Sequence, residues 1–272
     1  MNTKEHFSIG FIGLGLIGGS IAKSIRRISP DTEILGYDVD QEALRLALDD
    51  HTLSKTVTSI EAMHNCDYIF LCAPVHYNIA YLPILKRIMK DSCILTDVGS
   101  VKSDIYQAIH DQQLDDYFIG GHPMVGSERS GYEAAHDRLV ENAYYFVTPS
   151  ETVADDKVSA FRTFIEDLGA IPILYSPERH DEITAYISHI PHVIASSLVN
   201  LVAAQDDQSG MLKQLAAGGF KDITRIASSN PVVWEHILLS NPVNIVKGLQ
   251  TFRNEIDTMI NAIQSEDARG IY

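Results

Sequence analysis

The sequence predicts an α/β fold: a doubly wound, mostly parallel sheet with its helices over residues 1–175, followed by an all-helical domain over residues 176–272. Three observations predict it. From Phe7 to about Tyr175 short apolar runs alternate with amphipathic stretches, the rhythm of strands separated by helices. The first of those runs passes directly into a glycine-rich turn. After Tyr175 the strand signal stops and apolar residues recur at helical spacing.

Taken in order, strands are predicted over 7–12, 33–37, 68–73, 93–97, 117–120, 144–148 and 171–175. Ser176-Pro177-Glu178 then reads as an N-cap, a proline at the first helical position and an acid in the first turn. It opens a long apolar helix through about Ala204. Asn241-Pro242 is a second opening of the same kind, ahead of Val243, Ile245, Val246, Leu249, Phe252, Ile256, Met259, Ile260 and Ile263, an apolar stripe at helical spacing. A small helical domain with so much apolar surface has to cover it against the first domain or a second copy of itself, so a symmetric homodimer through the helical domain is expected.

Charge narrows the partners. The 36 acidic and 21 basic side chains give a net charge of −15, a field that repels nucleic-acid phosphates and anionic lipid headgroups, so neither nucleic acid nor membrane is an expected partner. The same field disfavours anionic small molecules, and a site for one therefore requires a local cationic cluster. With 272 residues there is room for a sizeable apolar core, and 45% hydrophobic content with 17 Gly and 10 Pro excludes collagen-like and disordered classes. Cys66, Cys72 and Cys93 match no zinc or redox spacing and read as packing residues. No run approaches the roughly 20 apolar residues of a membrane span. Residues 1–6 lack the apolar segment of a signal peptide. A cytoplasmic protein is expected.

The run over 7–12 leads straight into Gly13-Leu14-Gly15-Leu16-Ile17-Gly18 and then a helical stretch. In such a strand–turn–helix the first Gly allows the tight turn, the second lets a pyrophosphate approach the backbone, and the third permits close helix–strand packing. The predicted strand over 33–37 ends in Asp38, placed to accept from the ribose hydroxyls of an adenosine. Val39, Asp40 and Gln41 supply no Arg for a 2′-phosphate, so a Rossmann-type domain using NAD rather than NADP is expected. The expected cofactor contacts are Gly13, Gly15, Leu16, Ile17, Gly18, Asp38, Ala73, Pro74 and Ser100.

Three further segments carry polar residues that a purely structural sequence would not need. Thr96-Asp97-Val98-Gly99-Ser100-Val101-Lys102 follows a predicted strand, and Ser100 is its candidate donor. Gly120-Gly121-His122-Pro123-Met124-Val125-Gly126-Ser127-Glu128 forms a glycine-rich loop after another strand, with His122 the candidate base. In the helical domain, Ser188-His189-Ile190-Pro191-His192 interrupts a helix with a Pro that removes a backbone bond and kinks it. The two histidines lack a third ligand at metal-site spacing, and no metal is expected. Lys221 and Arg225 fall at i and i+4 on one helical face, amid Phe220, Ile223, Ile226 and Ala227, which suggests a half-buried helix. They are the cationic pair that an anionic ligand requires.

The segments at 13–20 (Gly-Leu-Gly-Leu-Ile-Gly-Gly-Ser), 97–102, 121–128, 188–192 and 222–231 (Asp-Ile-Thr-Arg-Ile-Ala-Ser-Ser-Asn-Pro), with Trp234, together resemble the prephenate dehydrogenases, in this order and across nearly the whole chain. The resemblance implies a dinucleotide-binding domain followed by a helical dimerisation domain, with the site between them. It also implies an NAD-linked oxidative decarboxylation of prephenate to 4-hydroxyphenylpyruvate in tyrosine synthesis. By position it makes His122 the base, Ser100 its polar partner at the substrate hydroxyl and Arg225 the carboxylate anchor, with Ser127, Glu128, His192, Lys221 and Trp234 lining the pocket. Neither a chorismate mutase segment before Phe7 nor a regulatory domain after about Gln264 is expected.

The chemistry agrees with these residue types. Prephenate is a dianion with a hydroxyl on the ring carbon that is oxidised and a carboxylate on the opposite carbon. A neutral imidazole suits removal of the hydroxyl proton near neutral pH, and a guanidinium holds a carboxylate through two hydrogen bonds. Arogenate dehydrogenase is the near alternative: arogenate has an amine in place of the side-chain keto group, and Glu128 near the pocket suits that amine. The β-hydroxyacid dehydrogenases share the two-domain plan but employ a catalytic Lys where this helix carries His189 and His192. A non-enzymatic NAD sensor would need the glycine loop but neither base nor cationic pair.

Overall fold

The computed structural model describes residues 7–127 and 129–271, which form two compact units, 7–180 and 181–271. The division between them falls inside a helix, after His180.

The first unit runs β1 (Ser8–Ile12), α1 (Leu16–Ile28), β2 (Glu33–Tyr37), α2 (Gln41–Asp49), β3 (Lys55–Thr56), β4 (Tyr68–Leu71), α3 (Val75–Ile88), β5 (Ile94–Asp97), α4 (Ser103–Asp111), β6 (Ile119–Pro123), β7 (Tyr144–Pro149), α5 (Asp155–Asp167) and β8 (Ile171–Leu174). Five strands pair in parallel in the order β3-β2-β1-β4-β5, and β6-β7-β8 form a second ladder. The two ladders are joined by one parallel bridge, Leu95 to Phe118. Within the second ladder β7 runs antiparallel to β6 and parallel to β8.

The central strands β1, β4 and β5 are buried throughout because both faces are covered, and their alternation sorts side chains between two cores. Ile9 and Phe11 of β1, with Tyr68 and Phe70 of β4, join Ile21 and Ile25 of α1 and Phe161 and Phe164 of α5. Ile12, Ile69 and Leu71 point the other way, into Leu82 and Leu85 of α3 and Ile105 and Ile109 of α4. Phe11 and Phe70 stack across neighbouring strands, ring centroids 5.0 Å apart. Cys66 and Cys93 are buried in the second core, and burial pushes both thiols up to about 12.

Two sequence expectations change here. β3 was not foreseen, since a two-residue strand has no periodicity to detect. The strand expected over 117–120 lies instead at Ile119–Pro123, so His122 sits on β6, paired across from Phe146, and not in a loop beyond it.

A continuous helix crosses into the second unit: α6 (Pro177–Thr184), a π turn (Ala185–His189) and α7 (Ile190–Gln205). Ser176 caps its start by accepting from Arg179 N. Pro191 has no N–H to give. The interruption it causes takes the form of the π turn, in which Ile190 N donates to Ala185 O. Then follow α8 (Met211–Leu215), α9 (Gly218–Thr224), a 3₁₀ turn (Arg225–Ser228), α10 (Pro231–Ser240) and α11 (Pro242–Gln264).

The core of this unit is small. Ala185, Ile190 and Ile245 are buried, with Ile194, Leu238 and Leu249 packed against them. Gly248 lets α11 approach α7, since a Cβ there would lie 2.2 Å from Ile190 Cδ1. Asn241 does not cap α11 as its Asn-Pro signature suggests. It is buried, and its Nδ2 donates instead to Asp181 O at 2.7 Å.

By length and composition the helix over 177–205 is long and apolar enough to cross a membrane, with a window of mean hydropathy 1.4. His189 and His192 interrupt its apolar run. Both histidines are buried within the fold.

Candidate active site

The glycine turn after β1 has the shape that a dinucleotide requires, and each glycine has its own reason. Gly13 adopts φ +100°, and a Cβ on it would lie 2.5 Å from Ala73 N, so the end of β4 borders the turn. A Cβ on Gly18 would lie 2.4 Å from Gly13 O, which ties α1 closely to the strand. At Gly15 a Cβ would meet nothing within 4 Å. Open space there, and tight packing on either side, is the pattern of a backbone that leaves room for a ligand.

The first turn of α1, with Leu16, Ile17 and Gly18, has neither a side-chain cap nor an acid, so its N–H groups present positive partial charge toward that space. Asp38 follows β2, and its carboxylate accepts from Leu14 N at 2.6 Å and Asp40 N at 2.8 Å, which aims it at the turn. Pro74 opens α3, and Asn78 Nδ2 donates to Ala73 O at 2.7 Å, fixing the turn after β4. Asn78 carries no motif and was not foreseen. These residues fit a dinucleotide: an anion cradle and, after β2, a carboxylate held against the turn, with no Arg in the residues 39–41 that follow Asp38.

Beside the cradle, β5 and β6 carry the candidate chemistry. Ser100 is half-buried in the loop after β5. His122 on β6 is half-buried, and its Nδ1 lies 2.8 Å from Nε2 of His180. His180 is fully buried, and Phe146 packs edge-on against it at 4.7 Å. In this pair one nitrogen donates and the other accepts, and Nε2 of His122 is the ring atom outside it. His180 was missed because a single histidine in a polar helix-opening turn has the look of a solvated residue. Asp97 and Lys102 were also missed as a unit: both are buried, Nζ to Oδ2 at 2.5 Å.

In the second unit His192 and Trp234 stack face to face, centroids 3.5 Å apart at 8°, with His189 edge-on to the same indole. His192 is 7% exposed, neither ring nitrogen is hydrogen-bonded among the described residues, and burial lowers its pKa. Lys221 and Arg225 are exposed in this chain. They do not share one uninterrupted α-helix: α9 ends at Thr224, whose hydroxyl back-bonds to Phe220 O, and Arg225 opens the 3₁₀ turn. Nor is that helix evenly half-buried, since Ile223 is 60% exposed. Ser127 is exposed and accepts from Arg129 N in a local turn, and Glu128 lies outside the described residues. Among the described residues no group of three or more His, Cys, Asp or Glu is arranged to hold a metal ion.

Comparison with known proteins decides the family. A family model described as prephenate dehydrogenase, nucleotide-binding domain, matches residues 21–174, and one described as prephenate dehydrogenase, dimerization domain, matches 176–272. The chain belongs to the prephenate dehydrogenase family. It is 36% identical to a prephenate dehydrogenase of Bacillus subtilis over 267 residues, 96% of this chain and 71% of the relative. Its fold matches the crystal structure of a prephenate dehydrogenase from Aquifex aeolicus in complex with hydroxyphenyl propionate and NAD+, at TM-score 0.93 and 31% identity, covering 99% of this chain and 95% of the other. A Synechocystis arogenate dehydrogenase matches at TM-score 0.86 and 29% identity, covering 97% and 95%. The family's activity is that of an NAD-dependent oxidoreductase, and the Rossmann-type first unit and helical second unit are the family's fold.

Proposed function

We propose that this chain catalyses the NAD-dependent oxidative decarboxylation of prephenate to 4-hydroxyphenylpyruvate, the dehydrogenase step of tyrosine synthesis, as a cytoplasmic homodimer through its helical unit. The observation that carries the reading is the contact between His122, on β6, and His180, on α6, in the same unit as Ser100 and a cradle that fits NAD.

Gly13, Gly15, Leu16, Ile17 and Gly18 would hold the pyrophosphate, Asp38 the adenosine ribose, and Ala73, Pro74 and Ser100 the rest of the cofactor. The chemistry NAD supplies when bound is acceptance of one hydrogen with its electron pair. His122 acts as general base at Nε2: with Nδ1–H donated to His180, the Nε2 lone pair takes the proton of the substrate hydroxyl. Ser100 donates to the same hydroxyl oxygen and orients it. The ring carbon becomes a carbonyl, the bond to the ring carboxylate breaks with loss of CO2, and its electrons complete the aromatic ring. The oxygen, now a phenolate, recovers its proton from His122. Arg225 anchors a carboxylate, while Lys221, His192, Ser127, Glu128 and Trp234 line the substrate pocket. His192 suits a polar ligand because its buried ring nitrogens make no hydrogen bond among the described residues. Aromatisation drives the reaction, so the residues mainly align the groups and exclude water.

The second reading is oxidation of arogenate, favoured by the likeness to the Synechocystis enzyme and by Glu128, whose charge suits an amine. Initial rates of reduced-nicotinamide absorbance with each substrate decide between them. The proposal expects kcat/KM for prephenate to exceed that for arogenate by about tenfold or more, the scale of one charged contact. The reverse order makes the chain an arogenate dehydrogenase, and cofactor binding without turnover of either makes it a sensor.

A further inference from the structure

We infer that the buried Asp97–Lys102 ion pair is a positioning clamp that holds His122 and Ser100 in register with each other, an inference that rests on reading His122 as the base.

Backbone pairing between β5 and β6 amounts to the bridge at Leu95 and Phe118, with Leu95 N donating to Tyr117 O at 2.9 Å. Further along, side chains make the connection. Asp97 Oδ1 accepts from Gly121 N at 3.1 Å. Lys102 Nζ donates to Gly121 O at 2.8 Å and to Asp97 Oδ2 at 2.5 Å, and Gly99 N donates to the same Oδ2 at 2.9 Å. Both backbone polar groups of Gly121 are thus gripped by the two ends of one ion pair. No side chain fits at that position, since a Cβ would lie 2.7 Å from Asp97 O and from Tyr145 OH. The next residue is His122. The same pair closes the loop over 98–101, in which Ser100 lies.

A buried ion pair is a poor way to gain stability, because desolvating both charges costs about as much as their attraction returns and apolar replacements are often neutral or better. What it supplies is direction: a fixed distance between two backbone segments whose side chains must meet one substrate oxygen.

The test is the double variant Asp97→Asn/Lys102→Met, which leaves no lone charge buried, read by thermal melting, NADH affinity and steady-state kinetics together. The clamp predicts a cooperatively melting protein with NADH affinity within about threefold of the parent and little change in KM for prephenate, but kcat lower by about 100-fold, the effect of roughly 1 Å of misalignment. A double variant that folds and keeps kcat within about threefold of the parent overturns it. If the double variant does not melt cooperatively, Asp97→Asn alone decides: at unchanged NADH affinity, a loss of about tenfold or more in kcat supports the clamp and an unchanged kcat overturns it. His122→Asn measured alongside keeps the two readings apart. Normal turnover in that variant defeats the base assignment whatever the clamp variants do, and its inactivity beside unaffected clamp variants defeats the clamp alone.

Discussion

Two imidazoles 2.8 Å apart share a proton in one sense at a time, and His122 accepts from substrate at Nε2 only if its Nδ1 carries the proton toward His180. His180 is buried, and under the proposed mechanism its role is to fix the tautomer and the ring angle of His122. His180→Ala is expected to lower kcat by about 10- to 100-fold with little change in KM, and His180→Gln, which still offers an acceptor, to recover part of it. Steady-state kinetics of the two variants checks this, and an alanine variant with parental kcat shows the contact to be idle. At this scale the sequence disclosed the residues that sit in motifs, namely the glycines, Asp38 and His122. It concealed those whose role exists only through a distant neighbour. His180 lies 58 positions from His122, and the Asp97–Lys102 pair reads as two ordinary polar residues until the chain folds.

The turn from β1 to α1 separates packing from binding within a single motif. Gly15 has φ −76° and free space where a Cβ would go, so alanine is tolerated there by the fold. Gly18 has backbone where a Cβ would go. Gly15→Ala is expected to change stability by no more than about 0.5 kcal/mol yet weaken NADH binding, whereas Gly18→Ala loses about 1–3 kcal/mol as well. Urea unfolding together with NADH titration checks both halves, and equal stability loss in the two variants contradicts the assignment. Strand positions were legible because buried parallel strands read as apolar runs, and the start of β2 at Glu33 and its end at Tyr37 match the predicted span. The helical span after Ser176 was legible as well. Its π turn was not: Pro191 announces a lost hydrogen bond without saying whether the helix kinks or widens.

The whole molecule has an imbalance, an ample core in one unit and a sparse one in the other. In α11, Val246, Ile256, Met259, Ile260 and Ile263 remain exposed, and the family's model for this half is named for dimerization. Burying such a face against a second copy accounts for a stripe that a lone chain would leave in water. Light scattering is expected to give twice the chain mass, and Ile256→Asp/Ile260→Asp to shift it toward one chain with a lower melting temperature. A single-chain mass for the unmodified protein at all concentrations contradicts this.

The central claim, that His122 takes the hydroxyl proton, is tested most directly by the kinetics of His122→Asn with prephenate and NAD. The account predicts a kcat lower by about 10²- to 10⁴-fold with NADH affinity and substrate KM preserved. Turnover close to that of the unmodified chain would contradict it.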